Sequence, residues 1–424
     1  MKSIGILWAQ FGPYHFARVS ALKQLAGTTR IHAMELANQT NYYAWNRGSS
    51  RMELTTLCPG GVAEQLSFRQ VFRQARRVFS DLKLEICFLP SYAPKESLAA
   101  LMAAKSLGIR TVMMNESHAG TARAGGLASL VKRWLVSLFD AALVGGHPQK
   151  RYCIALGFPK ERIFLGYDAV DNDFFSSRAE NARNQKSALR QEYQLPEHYF
   201  LSLCRFLPKK NLTTLIQAYH KCLRSGERCV THLVMVGAGE EEAALRALCA
   251  TLGLPVYEKS AAALNNKAGM VDDSKPGVHF YGFRQIEENP IFYALADAFF
   301  LPSSYEEWGL VANEAMASSI PIVVSSKAGC AEDLLEQGEP NHAAFADSSD
   351  LALRLKQRGQ TRQNGFVFDP TSVDELAETM MLLEHSPGLR RAMGAASRRI
   401  VEKFSCRNFA ENALLAARMS MRSR

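Results

Sequence analysis

The chain predicts an α/β protein of two doubly wound domains in tandem, and three observations carry that expectation. Short apolar strings of strand length recur with amphipathic, helix-like segments between them, the rhythm of a parallel sheet. That rhythm runs once and then restarts. Between the two runs, Ser176 to Gln194 is polar, rich in Arg, Asn, Gln and Ser, and has no strong apolar period. At 424 residues the chain also exceeds what one hydrophobic core usually supports.

In the first run the strand-like strings are Ile4–Leu7, Ile31–Met34, Leu84–Leu89, Arg110–Met114 and Ala141–Val144. In the second they are Phe200–Leu203, Leu233–Val236, Val278–Tyr281, Ala298–Leu301 and Ile320–Val324, with Leu212–Leu223 and Glu240–Leu252 among the helices. The expected organisation is an N-terminal domain over 1–175, a linker over 176–194, a second domain over 195–386, and C-terminal helices over 387–424 that cross back to the first domain. Two stretches, 260–276 and 339–363, lose the apolar period and read as surface excursions.

Composition narrows the class. Hydrophobic residues make up 47% and charged residues 21%, which excludes a disordered or coiled-coil chain. No apolar run approaches the ~20 residues a bilayer demands. Ile291–Pro302, the richest, carries Asp297 and reads as core. Met1–Ala9 is followed by Gln-Phe-Gly-Pro rather than by a small-residue cleavage site, and reads as the first strand of a mature cytoplasmic protein. Nine cysteines without a C-x-x-C pair imply neither a disulfide framework nor a zinc module.

The net charge of +9 is unevenly spread: residues 1–180 hold 22 Lys and Arg against 13 Asp and Glu, whereas 181–424 hold 28 of each. Arg69, Arg73, Arg76 and Arg77 lie on a segment that carries Phe68, Val71, Phe72, Val78 and Phe79 at near-helical spacing. It reads either as a solvated helix face or as a surface for anionic lipid headgroups. Nucleic acid is the weaker reading, because no base-reading module accompanies the charge.

Two motifs carry candidate chemistry. In Phe300–Ala317 a buried strand opens into a loop with Glu306 and then a helix with Glu314. Carboxylates accept hydrogen bonds from sugar and ribose hydroxyls, and the free amides of Gly309, Leu310 and Val311 at the helix start suit a phosphate. Acids near a helix start also simply complement its dipole, so spacing alone leaves both readings open. In Ser202–Leu212, Arg205 sits at a strand end and Lys210 in the following loop. Two cations there suit a diphosphate, whose oxygens gain charge as a sugar departs, and taken alone the loop reads equally as a solvated basic one. Gly237-Ala-Gly239 is only a partial dinucleotide fingerprint, since Glu242 stands where a third glycine belongs. Asp171-Asn-Asp173 fits a D-x-D metal pattern but reads as a turn.

With Val236–Gly239, Gly282-Phe-Arg-Gln285, Ser325–Cys330, Asn364–Pro370, Ala142–Gly146 and Gly166–Phe175, these motifs resemble the retaining glycosyltransferases of family 4, the glycosyl transferases group 1. The resemblance implies the GT-B fold, two Rossmann-like doubly wound domains facing across a cleft, and a metal-independent reaction with no cofactor. It implies a UDP- or GDP-sugar donor held mainly by the second domain. Arg205 and Lys210 match the diphosphate pair, Glu306 the acid beside the donor sugar, Glu314 the ribose acid, and Gly282 with Phe283 the turn near the base. Gly12 resembles the N-terminal glycine loop, although Gly12-Pro13 stands where a double glycine is common. Glu116 and His118 are the candidates for a histidine-type contact to the donor sugar, and His118 is taken as the catalytic one.

The expected function is retaining transfer of a sugar to the hydroxyl of a glycan or lipid-linked acceptor, in cell-surface polysaccharide synthesis. The expected place is the cytoplasm at the inner face of the plasma membrane, in peripheral contact with anionic lipid. Tyr42, Tyr43 and Trp45 are candidates for stacking on an acceptor sugar. The alternatives are a sugar phosphorylase or small-molecule glycosyltransferase of the same fold, and a non-catalytic scaffold.

Overall fold

The structure, a computed structural model, describes residues 1–40, 52–121, 126–225, 229–259, 275–340 and 350–422. Its chain forms two compact units, Met1–Asp171 with Phe404–Arg424, and Asn172–Lys403. Tyr42, Tyr43, Trp45 and most of the 260–276 stretch lie outside the described residues.

Unit 1 runs β1 (Ser3–Trp8), α1 (Pro13–Leu25), β2 (Arg30–Glu35), β3 (Leu54–Thr56), α2 (Phe68–Asp81), β4 (Ile86–Pro90), α3 (Lys95–Ser106), β5 (Arg110–Asn115), α4 (Gly126–Ser137), β6 (Ala141–Val144), α5 (His147–Ala155) and β7 (Ile163–Phe164). Among the described residues its strands form one parallel sheet in the order β3-β2-β1-β4-β5-β6-β7. The strands alternate their side chains between two apolar layers. Leu7, Cys87, Leu89, Met113 and Val144 face α2, α3, α4 and α5, while Ile4, Ile6, Phe88, Val112 and Leu143 face α1 and the C-terminal helix.

Unit 2 opens with α6 (Asn172–Asn184) and α7 (Lys186–Tyr193). It continues with β8 (Tyr199–Leu203), α8 (Leu212–Leu223), β9 (His232–Val236), α9 (Glu242–Thr251), β10 (Val256–Glu258), β11 (Val278–Phe280), α10 (Asn289–Ala294) and β12 (Ala298–Leu301). The rest is α11 (Leu310–Ala317), β13 (Ile322–Ser325), α12 (Ala331–Leu334), α13 (Asp350–Gln357), β14 (Thr361–Arg362), β15 (Gly365–Phe368), α14 (Val373–His385) and α15 (Pro387–Val401). Its sheet has the order β10-β11-β9-β8-β12-β13-β15-β14, parallel except for β14. The last helix, α16 (Cys406–Arg422), belongs to unit 1. It lays Phe409, Ala410, Ala413, Ala416 and Ala417 on the core, a stripe at i, i+1, i+4, i+7 and i+8.

Two stretches carry more regular structure than their sequence pattern suggests. The stretch read as a linker is helical: α6 buries Asn172, Phe175, Ala179 and Ala182 along one stripe, and the Asn172 amide donates to the Val401 carbonyl at 2.9 Å. Its apolar contribution is one phenylalanine and two alanines, too little to stand out against Arg, Asn and Glu. The 339–363 stretch is core in part, because α13 buries Ala352 and Leu355.

In each sheet the winding reverses beside the first strand, between β1 and β4 in unit 1 and between β8 and β12 in unit 2. Connections leave those neighbours in opposite directions, so a crevice opens at their carboxyl ends, where ligands of open α/β sheets bind.

One buried polar device ties β9 to β11. The Gly277 N–H points at His232 Nδ1 at 3.3 Å, which makes that nitrogen an acceptor, so His279 Nε2–H donates to it at 2.9 Å. Burial, then the positive charge that His232 and Lys259 can carry, pulls the His279 pKa from 6.5 to about 2. Its neutral form therefore stabilises the fold fully above pH 6.5, and that stability is lost as pH falls. Between pH 6.5 and 5 the loss at this site is about 2 kcal/mol, and His279→Gln should flatten the pH dependence of urea unfolding over that range.

Candidate active site

The loops that follow β8, β9, β11 and β12 are stitched to one another. Cys204 N–H donates to the Val236 carbonyl at 3.0 Å and Phe206 N–H to the Ala238 carbonyl at 2.9 Å. Gly237 N–H reaches the Gly282 carbonyl at 2.9 Å. A Cβ on Gly237, whose φ is 142°, would lie 1.8 Å from the Cys204 carbonyl oxygen, so the loops can approach only because that residue is glycine. Asn211, in the left-handed region at φ 53°, sends its amide to the carbonyls of Pro302 (3.1 Å) and Pro370 (2.8 Å). Ser304 N–H donates to the Lys209 carbonyl at 2.8 Å. The lysine loop is thereby fastened to the loop that carries Glu306.

Lys210 and Glu306 are both buried and paired, Lys210 Nζ donating to Glu306 Oε2. Ser303 Oγ donates to the same oxygen at 3.2 Å, and Lys209 Nζ stands 3.5 Å from Oε1. Burial pushes the Glu306 carboxyl up, but the Lys210 and Lys209 ammonium groups with the Ser303 hydroxyl outweigh it and hold it below the usual carboxylate range. Glu306 is thus an anion at neutral pH. Burial likewise disfavours the Lys209 cation, and Glu306 with Glu307, 2.7 Å away, outweighs it and raises its pKa. Burial pushes the Cys204 thiol up to about 11, with Lys210 and Arg205 pulling it down and Glu306 pushing it up. That thiol is therefore neutral, and Arg205 follows it directly in the loop after β8, at the unit 2 switch point.

Gly309, at φ 106°, turns the chain from this loop into α11. A Cβ there would lie 2.7 Å from Leu301 Cδ2. Leu310 and Val311 form the half-buried first turn, and Glu314 is fully buried within the helix. Gly282 is half-buried beside Gly237, and Phe283 next to it is 43% exposed. Lys209, Ser303 and Cys204 are members that sequence reasoning missed. Lys209 stands beside a residue already chosen, but serine and cysteine carry no signal until the sheet brings their loops together.

Gly12 and His118 lie in unit 1, after β1 and β5. Gly12 caps α1 in extended backbone, and its N–H donates to His15 Nδ1 at 2.9 Å. His15 stacks on Trp8 with centroids 4.5 Å apart, and burial, then the Arg18 charge, lowers its pKa to about 3, so Nδ1 stays an acceptor. Glu35, also missed, braces the loop by accepting from Phe11 N–H (3.0 Å) and Thr56 Oγ1–H (2.7 Å). His118 is buried, and its Nδ1 accepts from Gly120 N–H at 3.1 Å, which leaves the proton of the neutral ring on Nε2. Glu116 lies near the fully buried Asp168, whose carboxyl is pushed up by burial and by the Glu116 charge against the pull of Arg18. Asp171 and Asp173 of the D-x-D are both exposed while Asn172 is buried. Among the described residues, no group of three or more His, Cys, Asp or Glu is placed to hold a metal ion.

Solved structures with this architecture decide the fold. Sucrose-phosphate synthase from Thermosynechococcus elongatus superposes with a TM-score of 0.69 at 15% identity, covering 100% of both chains. Anabaena Alr3699/HepE, solved in complex with UDP and glucose, gives 0.66 at 17% identity, covering 99% of this chain and 100% of that one. The architecture is GT-B. Within it, residues 273–400 match the family described as Glycosyl transferases group 1. The sulfoquinovosyl transferase SQD2 of Arabidopsis thaliana is 32% identical over 30% of this chain and 21% of its own length. A GDP-mannose-dependent alpha-(1-6)-phosphatidylinositol monomannoside mannosyltransferase of Mycobacterium tuberculosis is 26% identical over 60% of this chain. The match spans about half (55%) of that relative. Together these likenesses support a glycosyltransferase.

The Lys210–Glu306 pair generates a stability test. Glu306→Ala leaves Lys210 as a buried cation without its main partner, and should cost about 3–5 kcal/mol in urea unfolding. The double variant Lys210→Met/Glu306→Met removes both charges and should recover most of that loss.

Proposed function

We propose that the protein transfers a sugar from a nucleoside-diphosphate donor to an acceptor hydroxyl, with retention of anomeric configuration and without a metal. The observation that carries this reading is the buried Lys210–Glu306 pair at the unit 2 switch point, with Arg205 in the same loop after β8. As the bond from the anomeric carbon to the diphosphate breaks, charge grows on the phosphate oxygens. Arg205 and Lys210, already held by surrounding groups, stabilise that charge with little reorganisation. Glu306, ionised and bonded to Lys210, positions the ammonium group and faces the donor sugar as a fixed negative charge. Glu314 binds the ribose, and the Gly309–Val311 amides receive phosphate oxygens.

Retention follows from same-face attack, in which a departing phosphate oxygen takes the proton of the acceptor hydroxyl as the new bond to the anomeric carbon forms. His118, with its Nε2–H, donates to a hydroxyl of the donor sugar, and Gly12 lies against the diphosphate. The acceptor is a glycan or lipid-linked sugar bound by the N-terminal domain, at the inner face of the plasma membrane. Two of the proteins to which the chain is similar support a nucleotide donor, one solved with UDP and one GDP-mannose-dependent.

Thermal unfolding with UDP and GDP should show a shift for the preferred nucleotide, worth about 2.7 kcal/mol at a hundredfold excess over its dissociation constant. Arg205→Gln and Lys210→Gln should each lower kcat for donor turnover by about 10²–10³. NMR of the product should show the anomeric configuration of the donor. An unshifted transition with both nucleotides overturns the reading.

A further inference from the structure

Three helices share one face of the unit 1 sheet. Val71, Ala75 and Phe79 of α2, Ala100, Leu101 and Ala104 of α3 and Val136 of α4 enter the same core layer. α2 packs on α3, and since α3 joins β4 to β5 and α4 joins β5 to β6, the three lie over the same sheet face in that order. Their outward surface is unusual in two ways at once.

On α4 the large apolar side chains point the wrong way for a soluble helix. Leu130 is 63% exposed, Val131 51% and Trp134 58%, within about a 100° arc. Val136, on the opposite side, anchors the helix to the core at 1% exposure. Arg133 borders the arc and is exposed, Lys132 lies in the same helix, and α4 contains no acid. At the other edge of the layer α2 presents Arg69, Arg73, Arg76 and Arg77, all exposed, with Phe68 partly exposed beside them. Between them α3 exposes Met102.

We infer that this helix layer docks on an anionic lipid surface, with α2 supplying electrostatic capture and Leu130, Val131 and Trp134 of α4 entering the headgroup boundary. Charge complementarity selects the occupant. A basic helix next to an acid-free helix with an exposed tryptophan and two aliphatic side chains matches a surface of anionic headgroups over acyl chains. Tryptophan is at home at that boundary, its ring in the apolar region and its N–H in the polar one. The inference rests on the proposed membrane-side acceptor, and it names the part of the chain that brings the enzyme to it.

The test is flotation of the full chain with vesicles of phosphatidylcholine, alone or with about 30 mol% phosphatidylglycerol, at low and moderate salt. Anionic vesicles should carry the wild type, with a blue shift of tryptophan emission that Trp134→Phe abolishes. Arg69→Gln/Arg73→Gln/Arg76→Gln should weaken binding about tenfold or more at low salt. Leu130→Ser/Val131→Ser/Trp134→Ser should keep weak low-salt capture and lose the binding that persists at moderate salt. Both triple variants should keep the wild-type thermal shift with nucleotide, which separates this inference from the donor reading and shows that they fold. The inference is overturned if anionic vesicles leave the wild type behind, or if the α4 variant binds as the wild type does. It is equally overturned if light scattering shows a wild-type oligomer that the α4 variant converts to a monomer, since the apolar arc is then a contact between copies.

Discussion

The ion pair between Lys210 and Glu306 is the constraint around which unit 2 arranges its strand ends. Each group is buried deeply enough that, alone, it would lose most of its hydration, and the desolvation cost is offset only if the partner is held in good geometry. That geometry is supplied by backbone. Asn211 reaches two carbonyls on other loops, Ser304 binds back to Lys209, and Gly237 permits a contact that any side chain would block. A charged pair fixed this way is also a preorganised one, and preorganised charge is what stabilises a leaving diphosphate without waiting for solvent to reorient.

Unit 1 handles buried charge differently. Asp168 is fully buried with Arg18 at 3.9 Å, too long for a strong pair, and its carboxyl is instead pushed toward the protonated form beside Glu116. Arg18 spends its guanidinium on the Ala169 carbonyl at 2.9 Å and on the rings of Tyr167 and Phe409. Phe409 comes from α16, so the last helix closes the apolar layer over β1 and β5 and also walls in this polar cluster. Tyr167 donates no charge there: its hydroxyl accepts from Trp8 Nε1–H at 2.8 Å, and Trp8 in turn stacks on His15 at the start of the glycine loop. Packing at the C-terminus of the chain is thus connected to the loop after its first strand.

The two helix layers of unit 1 also divide the labour. The layer of α1 and α16 is closed by alanines that allow close approach, whereas the layer of α2, α3 and α4 leaves arginines and large apolar side chains outward. Burial alone would not leave three such residues together on one arc, since isolated exposed apolar residues are ordinary but clustered ones mark a contact surface.

Strand existence was legible wherever apolar runs were long and buried on both faces, as in Ile4–Leu7 or Leu233–Val236. It was not legible for β3, β7, β10, β14 and β15, which are two to four residues long and lie at or next to sheet edges. Nor was it for α6, whose buried stripe is mostly alanine. Arg205, Lys210 and Glu306 were singled out by the family resemblance of their motifs, since spacing alone leaves a solvated basic loop and an acid that complements a helix dipole equally open. Residue order by itself determined the tandem α/β plan and the charge asymmetry, since each is written in local composition and period. Only the tertiary structure decided that Lys210 is held by Glu306, that Ser303 and Cys204 join them, that Glu116 lies near Asp168, and that α2 and α4 share a face. All four depend on strand order, which brings together residues as much as 96 positions apart in the case of Lys210 and Glu306.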